Sequence, residues 1–381
     1  MRLEVLPIEG IGDVRPGDDL AAAITAAAPW LRAGDVLVVT SKIVSKAEGS
    51  LVDVPVDGDE REVAREEVLR AETARPVARR GPTRIVQTHH GFVMAAAGID
   101  ASNVDRAHLV LLPKDPDASA RALRTTLRER HGLDVAVVIS DTMGRPWRNG
   151  LTDVALGSAG VPAIRDHRGE VDPYGNELSI TQMAVIDELA AAGELVKGKC
   201  AQVPVAVVRG YLDAPLPTAD GDGAAVLVRG ADQDLFSLGT AEARAEGLRA
   251  AARLADNGQA PFAQLEETDL ARSVNRALAT IAGKAATTFE VVAEHGRSDV
   301  DDPQEPDGAA AGAEQALTGA SAAVGYRVRC RPAAGLGGPA ALVSLGSDVH
   351  RLRAALAAEG FGSTMEVAED GNGPYVVVTV G

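Results

Sequence analysis

The chain reads as an α/β arrangement of strands and helices followed by a smaller α+β tail, and three observations predict this. Apolar, β-branched runs recur at residues 36–39 (VLVV), 135–139 (VAVVI) and 203–208 (VPVAVV). Such runs suit strands buried on both faces. Polar segments with helical periodicity stand between them, giving strand–helix–strand order. Beyond residue 262 the order changes to helix, then strand, strand, helix, strand, strand.

The 381 residues are enough for two or three domains at ~100–200 residues each. Hydrophobic residues make up 46%, which provides a sizeable core. Aromatics are only 3%, so Ala, Val, Leu and Gly must fill it. A formal charge of −16 argues against nucleic acid or an anionic membrane as partner. Any phosphate must then be met by local Lys and Arg or by a metal. Cys200 and Cys330 are far apart with no ligand spacing, which fits a reducing compartment and predicts no disulfide or zinc site. The opening MRLEVLPIEG carries Glu4 and Glu9, and is not expected to act as a signal peptide. No run approaches ~18 uncharged apolar residues, so a cytoplasmic location is expected.

In chain order, residues 3–8 form a strand, and a two-glycine turn leads to Asp18 or Asp19 as N-cap of a helix over 20–31. The strand at 36–39 ends in TSKIVSKAEG, where Lys42 and Lys46 share a face if the segment is helical. Residues 57–80 are dense in opposite charges and predict an exposed helix ending near Pro76. Residues 85–98 predict two short strands around a turn, and 108–112 a further strand. Asp117–Ser119 is expected to cap a helix over 120–130, amphipathic through Ala122, Leu123, Thr126 and Leu127, with Gly132 ending it. A polar, turn-rich stretch over 162–177 precedes Ser179–Gln182, which is expected to cap a helix running from Met183 to Leu195. Helices are also predicted over 232–238, 240–253 and 268–281, and an acidic linker over 300–319. The tail predicts strands at 326–331, 341–345, 365–368 and 375–380 and a helix at 349–359, with His350 on its surface. The expected domains are 1–253 and 254–381.

The chemistry concentrates in a few places. Asp141 and Thr142, at the end of the 135–139 strand, are hard oxygen donors of the kind that hold Mg²⁺ or Mn²⁺ with a phosphate. Arg145 and Arg148 follow within seven residues and can grip anionic oxygens. Ser41, Lys42 and Lys46 suit phosphate but lack the glycine spacing of a P-loop. Asp100 and Asn103 can face each other across an Asx turn. His89 and His90 have no ligand partner nearby and read as structural. Arg165, Arg168, Tyr174 and Asn176 have the composition of an anion-binding loop or of plain surface.

Taken together, LPIEGIGDVRPGDDL, VLVVTSKIVSKAEG, HGFVMAAAGIDASNV, VISDTMGRPWRNGLTDVALGSAG, DPYGNELSITQMAVIDELA and VPVAVVRG resemble the coenzyme F420-0:L-glutamate ligase, or γ-glutamyl ligase, family over roughly residues 1–253. The resemblance implies an α+β fold with mixed sheets and an intertwined homodimer. It implies GTP-dependent ligation of L-glutamate to coenzyme F420-0, with further γ-linked glutamates in many members. GTP contacts are implied at Ile11, Gly12, Asp13, Val14, Ser41, Lys42, Lys46 and Asn103, and at a turn comprising Lys197, Gly198, Lys199, Cys200, Ala201, Gln202, Val203 and Pro204. Two Mg²⁺ or Mn²⁺ ions are implied at Asp100, Asp141 and Thr142, with K⁺ as a further cofactor. Arg145 or Arg148 is expected to bind the acceptor; no general base is identified, with Asp153 and His167 as candidates. One departure is Lys199, which aligns with a Gln or Glu ligand of some relatives. A protonated lysine cannot ligate a metal, so either the second ion loses a ligand or Lys199 binds phosphate directly. Some actinobacterial relatives add a flavin-binding domain, but residues 262–381 lack its arginine-rich opening and no FMN is expected. An amide ligase of the same mechanism on another carboxylate, or a non-catalytic GTP sensor, are the alternatives.

Overall fold

The computed structural model describes residues 2–102, 104–199, 201–230, 233–254, 270–281, 285–293 and 326–380. Chain contacts divide it into two compact units, Met1–Glu242 and Ala243–Gly381.

The first unit runs β1 (Glu4–Ile8), α1 (Leu20–Ala27), β2 (Val36–Thr40), α2 (Ser41–Glu48), β3 (Leu51–Asp53), α3 (Gly58–Glu72), β4 (Thr73–Arg80), β5 (Thr83–Thr88), β6 (Val93–Ala95), β7 (His108–Val110), α4 (Pro116–His131), β8 (Ala136–Arg145), β9 (Arg148–Ala159), β10 (Ile164–Asp166), β11 (Gln182–Ala184), α5 (Val185–Lys197) and β12 (Val205–Arg209). α6 (Thr240–Ala252) crosses the division between the units. The principal sheet has the order β1-β12-β2-β8-β9. Only β2 and β8 pair in parallel, so the sheet is mixed and the fold is α+β.

This sheet explains the apolar runs. Leu37, Val39, Val137, Ile139, Val205 and Val207 point into a core built with Ile24, Val44 and Leu127 of α1, α2 and α4. Their neighbours Val36, Val38, Ala136, Val138, Ala206 and Val208 point into a second core beneath Ile186, Leu189 and Ala190 of α5. Strands covered on both faces have no polar alternation. Close approach depends on two glycines. A Cβ at Gly193 of α5 would stand 2.7 Å from Val38 Cγ1, and one at Gly157 of β9 would stand 2.2 Å from Pro116 O at the start of α4. Arg124 of α4 is fully buried and is satisfied by Asp220, the Pro217 carbonyl and the Val135 carbonyl.

Several expectations need correction. The strand from residue 136 does not stop at Ser140. It continues to Arg145 and turns through Pro146 and Trp147 into β9, because cross-strand pairing satisfies the backbone of the polar residues. The charged helix stops at Glu72, and Pro76 lies inside β4, where the register is irregular. The cap of α4 is Asp115, whose side chain accepts from Ala118 N, with Pro116 in the first turn. Asp117 is instead buried and accepts from Ser158 N and Ala224 N. Residues 182–184 form β11, so α5 starts two residues later than the expected Met183. α1 ends at Ala27. Residues 233–238 form turns, not a helix. The expected linker at 300–319 lies outside the described residues.

The second unit is α+β. It contains α7 (Leu270–Ile281), β13 (Thr287–Ala293), β14 (Tyr326–Pro332), α8 (Gly338–Ala358), β15 (Ser363–Asp370) and β16 (Gly373–Val380). The antiparallel sheet β13-β14-β16-β15 packs Val328, Cys330, Val376 and Val378 against α7 and α8. Residues 341–345, expected as a strand, lie inside α8, whose buried face continues from Ala341 through Leu345 and Val349 to Leu352 and Leu356. Cys330 is buried and free, and His350 is exposed, as expected. Among the described residues no helix is long and apolar enough to cross a membrane.

Candidate active site

The functional side chains gather where β2 ends beside Ser140 of β8, which itself runs on to Arg145. β2 leads straight into α2, whose N-cap Thr40 makes no side-chain hydrogen bond. The first backbone N–H groups of α2 therefore stay available to an anion. The Lys pair is on α2 as expected. Lys46 is buried and donates to Asp13 Oδ1 at 2.8 Å, which holds the Asp13 carboxyl below its usual range. Ile11 and Val14 anchor their loop in the core, and Gly12 and Asp13 are exposed between them. Lys42 donates to Asp100 Oδ2 at 2.7 Å and to Ser102 Oγ at 2.8 Å. Asp100 also accepts from Ser102 N at 2.6 Å, an Asx turn made with Ser102. Burial raises the Asp100 carboxyl, but Lys42 and Ser102 outweigh it and hold it low. Asn103 and Cys200 lie outside the described residues.

Alternation along β8 splits the two donors. Val137 and Ile139 belong to the α2 face, and Asp141 continues that series; Val138 and Ser140 belong to the α5 face, and Thr142 continues theirs. Asp141 is bonded only by Thr142 N, at 2.8 Å, among the described residues. Burial pushes its carboxyl up to about 6, and the charges of Asp153 and Asp100 add to the effect. A crowded carboxylate without a cation of its own is the donor chemistry a divalent ion would relieve. Among the described residues no group of three or more His, Cys, Asp or Glu side chains is arranged as a metal cage.

On the α5 face, Asp153 stands opposite Thr142 in the β8–β9 register. It is 3% exposed, and accepts from Thr142 Oγ1 at 2.7 Å, Ser140 Oγ at 2.9 Å and Lys197 Nζ at 2.9 Å. Burial raises the Asp153 carboxyl, and Lys197 with the two hydroxyls more than reverses this. Lys197 is itself 2% exposed and also reaches Ser140 Oγ at 2.9 Å. An aspartate held anionic and fully bonded is poorly placed to take a proton, which removes Asp153 as a base. Lys199 donates to Thr142 Oγ1 at 2.6 Å and pairs with Glu194 Oε1 at 2.5 Å. Gly198 and Gln202 both have positive φ, and Thr40 N donates to Pro204 O.

Sequence reasoning missed Ser140 and Glu194. Counting back from the 145–148 turn would have placed residue 151 against 142; a register shift between Gly144 and Arg145 makes Asp153 the partner instead, and Glu194 lies one helical turn before Lys197. Arg145 and Arg148 are not brought to Asp141 within one chain. They sit at the exposed hairpin tip, four and seven residues on, so Arg145 lies roughly 13 Å away at strand rise. Arg145 donates to Asn149 O. His167 is paired with Glu170 at 2.9 Å, and Arg168 with Asp166. His90 holds backbone carbonyls of Pro113 and Lys114, and His89 that of Ala71, the structural role expected of both.

The F420-0:gamma-glutamyl ligase family profile matches residues 10–210. A Methanopyrus kandleri protein named coenzyme F420:L-glutamate ligase is 41% identical over 252 residues, covering 62% of this chain and 97% of its own length. A Methanothermobacter thermautotrophicus protein of the same name is 40% identical over 253 residues, 62% of this chain and 99% of its own. One from Haloarcula marismortui is 43% identical over 226 residues, 55% of this chain and 88% of its own. With lysines, aspartates and a bare helix N-terminus converging on one sheet end, and the profile spanning all of them, the chain is a ligase of the F420-0:gamma-glutamyl ligase family.

Proposed function

We propose that this chain ligates L-glutamate to coenzyme F420-0 with GTP as the energy source, residues 1–253 forming the ligase domain. The observation that carries the reading is the uncompensated Asp141 carboxylate, set between Lys42 with Asp100 on one side and Thr142 with Asp153 on the other.

A carboxylate does not condense with an amine until one of its oxygens becomes a leaving group. Phosphoryl transfer from GTP to the F420-0 carboxylate would give an acyl phosphate and GDP; attack by the glutamate amine would then form the amide and release phosphate. Such transfer depends mainly on position and charge neutralisation. Bound at Asp141 and Asp100, Mg²⁺ or Mn²⁺ would neutralise the phosphate oxygens. The α2 N–H groups and Ser41 would meet phosphate oxygens, and Lys42 and Lys46 would add positive charge. The Lys197–Pro204 turn would cover the nucleotide with its backbone, since the Lys197 ammonium is committed to Asp153. Further γ-linked additions would repeat the cycle on the product.

The hairpin tip supports a homodimer. Trp147 is 80% exposed, Leu151 is 69% exposed, and the Trp147 ring stands 4.8 Å from that of Phe236, itself exposed. Apolar surface of this kind on an extended arm suits a second copy of the chain. In that arrangement Arg145 and Arg148 would serve the partner's acceptor site. Mixing the chain with F420-0, L-glutamate, GTP and Mn²⁺ tests the reaction; product formation without GTP consumption would refute it.

A further inference from the structure

Lys199 stands where a second metal ion would have to bind. Its ammonium lies 2.6 Å from Thr142 Oγ1, 2.5 Å from Glu194 Oε1 and 3.9 Å from Asp153 Oδ1. These are oxygen donors on the α5 face that a cation next to Thr142 would use. The Thr142 hydroxyl has one proton and two lone pairs. Its proton goes to Asp153, and one lone pair is taken by Lys199. A divalent ion on the remaining lone pair would sit within a few ångströms of the Lys199 positive charge and be repelled. The charge pattern agrees. Four carboxylates, of Asp100, Asp141, Asp153 and Glu194, face three ammonium groups, of Lys42, Lys197 and Lys199. Asp141 is the member left without a cation, and it lies on the opposite face of β8 from Lys199.

We infer that the Lys199 ammonium replaces one divalent cation of this centre. The chain then binds a single divalent ion per nucleotide, on the Asp141 side, and Lys199 provides the second positive charge at Thr142. The inference rests on the ligase reading for the presence of a metal–nucleotide site, but fixes the number of ions independently of the acceptor.

The test counts Mn²⁺ bound per chain by electron paramagnetic resonance titration of the full-length protein with a non-hydrolysable GTP analogue. Wild type should bind one Mn²⁺. Lys199→Arg, which keeps the charge, should also bind one. Lys199→Gln, which removes the charge and offers an amide oxygen, should bind two. Lys199 is 62% exposed on its side chain, so neither change threatens the fold. Two ions on wild type, two on Lys199→Arg, or one on Lys199→Gln would each overturn the inference. No Mn²⁺ on any variant would overturn it together with the metal-dependent reading, whereas one, one and two with no turnover of F420-0 would refute only the proposed substrate.

Discussion

Asp141 and Lys197 are the two residues whose charges decide most at the smallest scale. Asp141→Asn should lower GTP turnover and glutamylation by roughly 10³-fold, the loss expected when several kcal/mol of charge stabilisation disappears. The circular dichroism spectrum should not change, and the assay should span Mn²⁺ concentrations so that a weakened site is not refilled unnoticed. The same substitution should stabilise the metal-free protein. The Asp141 carboxyl is raised to about 6 in the fold, so the folded chain holds that proton more tightly than the unfolded one. The resulting destabilisation is full above pH ~6 and fades as pH falls towards ~4, the ordinary carboxylate value. A shift of about two units corresponds to ~3 kcal/mol at most. Urea unfolding should therefore find the Asn variant more stable at pH 8 and equal to wild type near pH 4. An Asn variant less stable at pH 8 would show that Asp141 already has a cation. Lys197→Met should cost ~3–5 kcal/mol, because it strands the buried Asp153 charge. Pairing it with Asp153→Leu should recover much of that loss; strict additivity in the double-mutant cycle would deny the coupling.

Among the elements, the strands at 36–39 and 135–139 and the cap at Asp19 were legible because each rests on local chemistry: burial on both faces for the runs, a side-chain acceptor for the cap. The polar half of β8 was not legible. Ser140, Asp141 and Thr142 look like a turn by composition, and only the partner strand β9 reveals that their backbone is paired. The same holds for β4, where Pro76 reads as a stop until β5 is seen beside it. Residues 341–345 show an apolar run too short to tell strand from helix. The site followed the same division. Asp100, Asp141 and the two lysines were candidates by residue type, each with an equally plain structural reading, and gained weight only from the joint family resemblance, whereas Asp153 and Glu194 acquire meaning only through hairpin register and the helix end. Packing between elements gives one sharp expectation. Gly157→Ala drives a methyl into the Pro116 carbonyl and should cost ~1–3 kcal/mol by forcing α4 away from β9. An unchanged urea midpoint would show that α4 can yield at this point.

For the molecule as a whole, the division between Glu242 and Ala243, with α6 running on to Ala252, predicts that residues 1–253 expressed alone keep any glutamylation activity within a few-fold of the full chain, as judged by product formation under matched conditions. Loss of folding in that fragment would tie the tail to the ligase core. The hairpin arm predicts a dimer by analytical ultracentrifugation, converted to monomer by Leu151→Glu; a wild-type monomer would leave Arg145 and Arg148 without a site to serve. In a chain of net charge −16, three lysines at one sheet end offset three of the four carboxylates gathered there and leave Asp141 as the one to be met by an added cation. Mass spectrometry of the cofactor after incubation with F420-0, L-glutamate, GTP and Mn²⁺ decides the matter. The mass should rise by whole glutamyl residues, with one GDP formed per residue added and no change when GTP or Mn²⁺ is omitted. A cofactor of unchanged mass, or one extended in the absence of GTP, would contradict the phosphoryl-transfer chemistry assigned to Asp141.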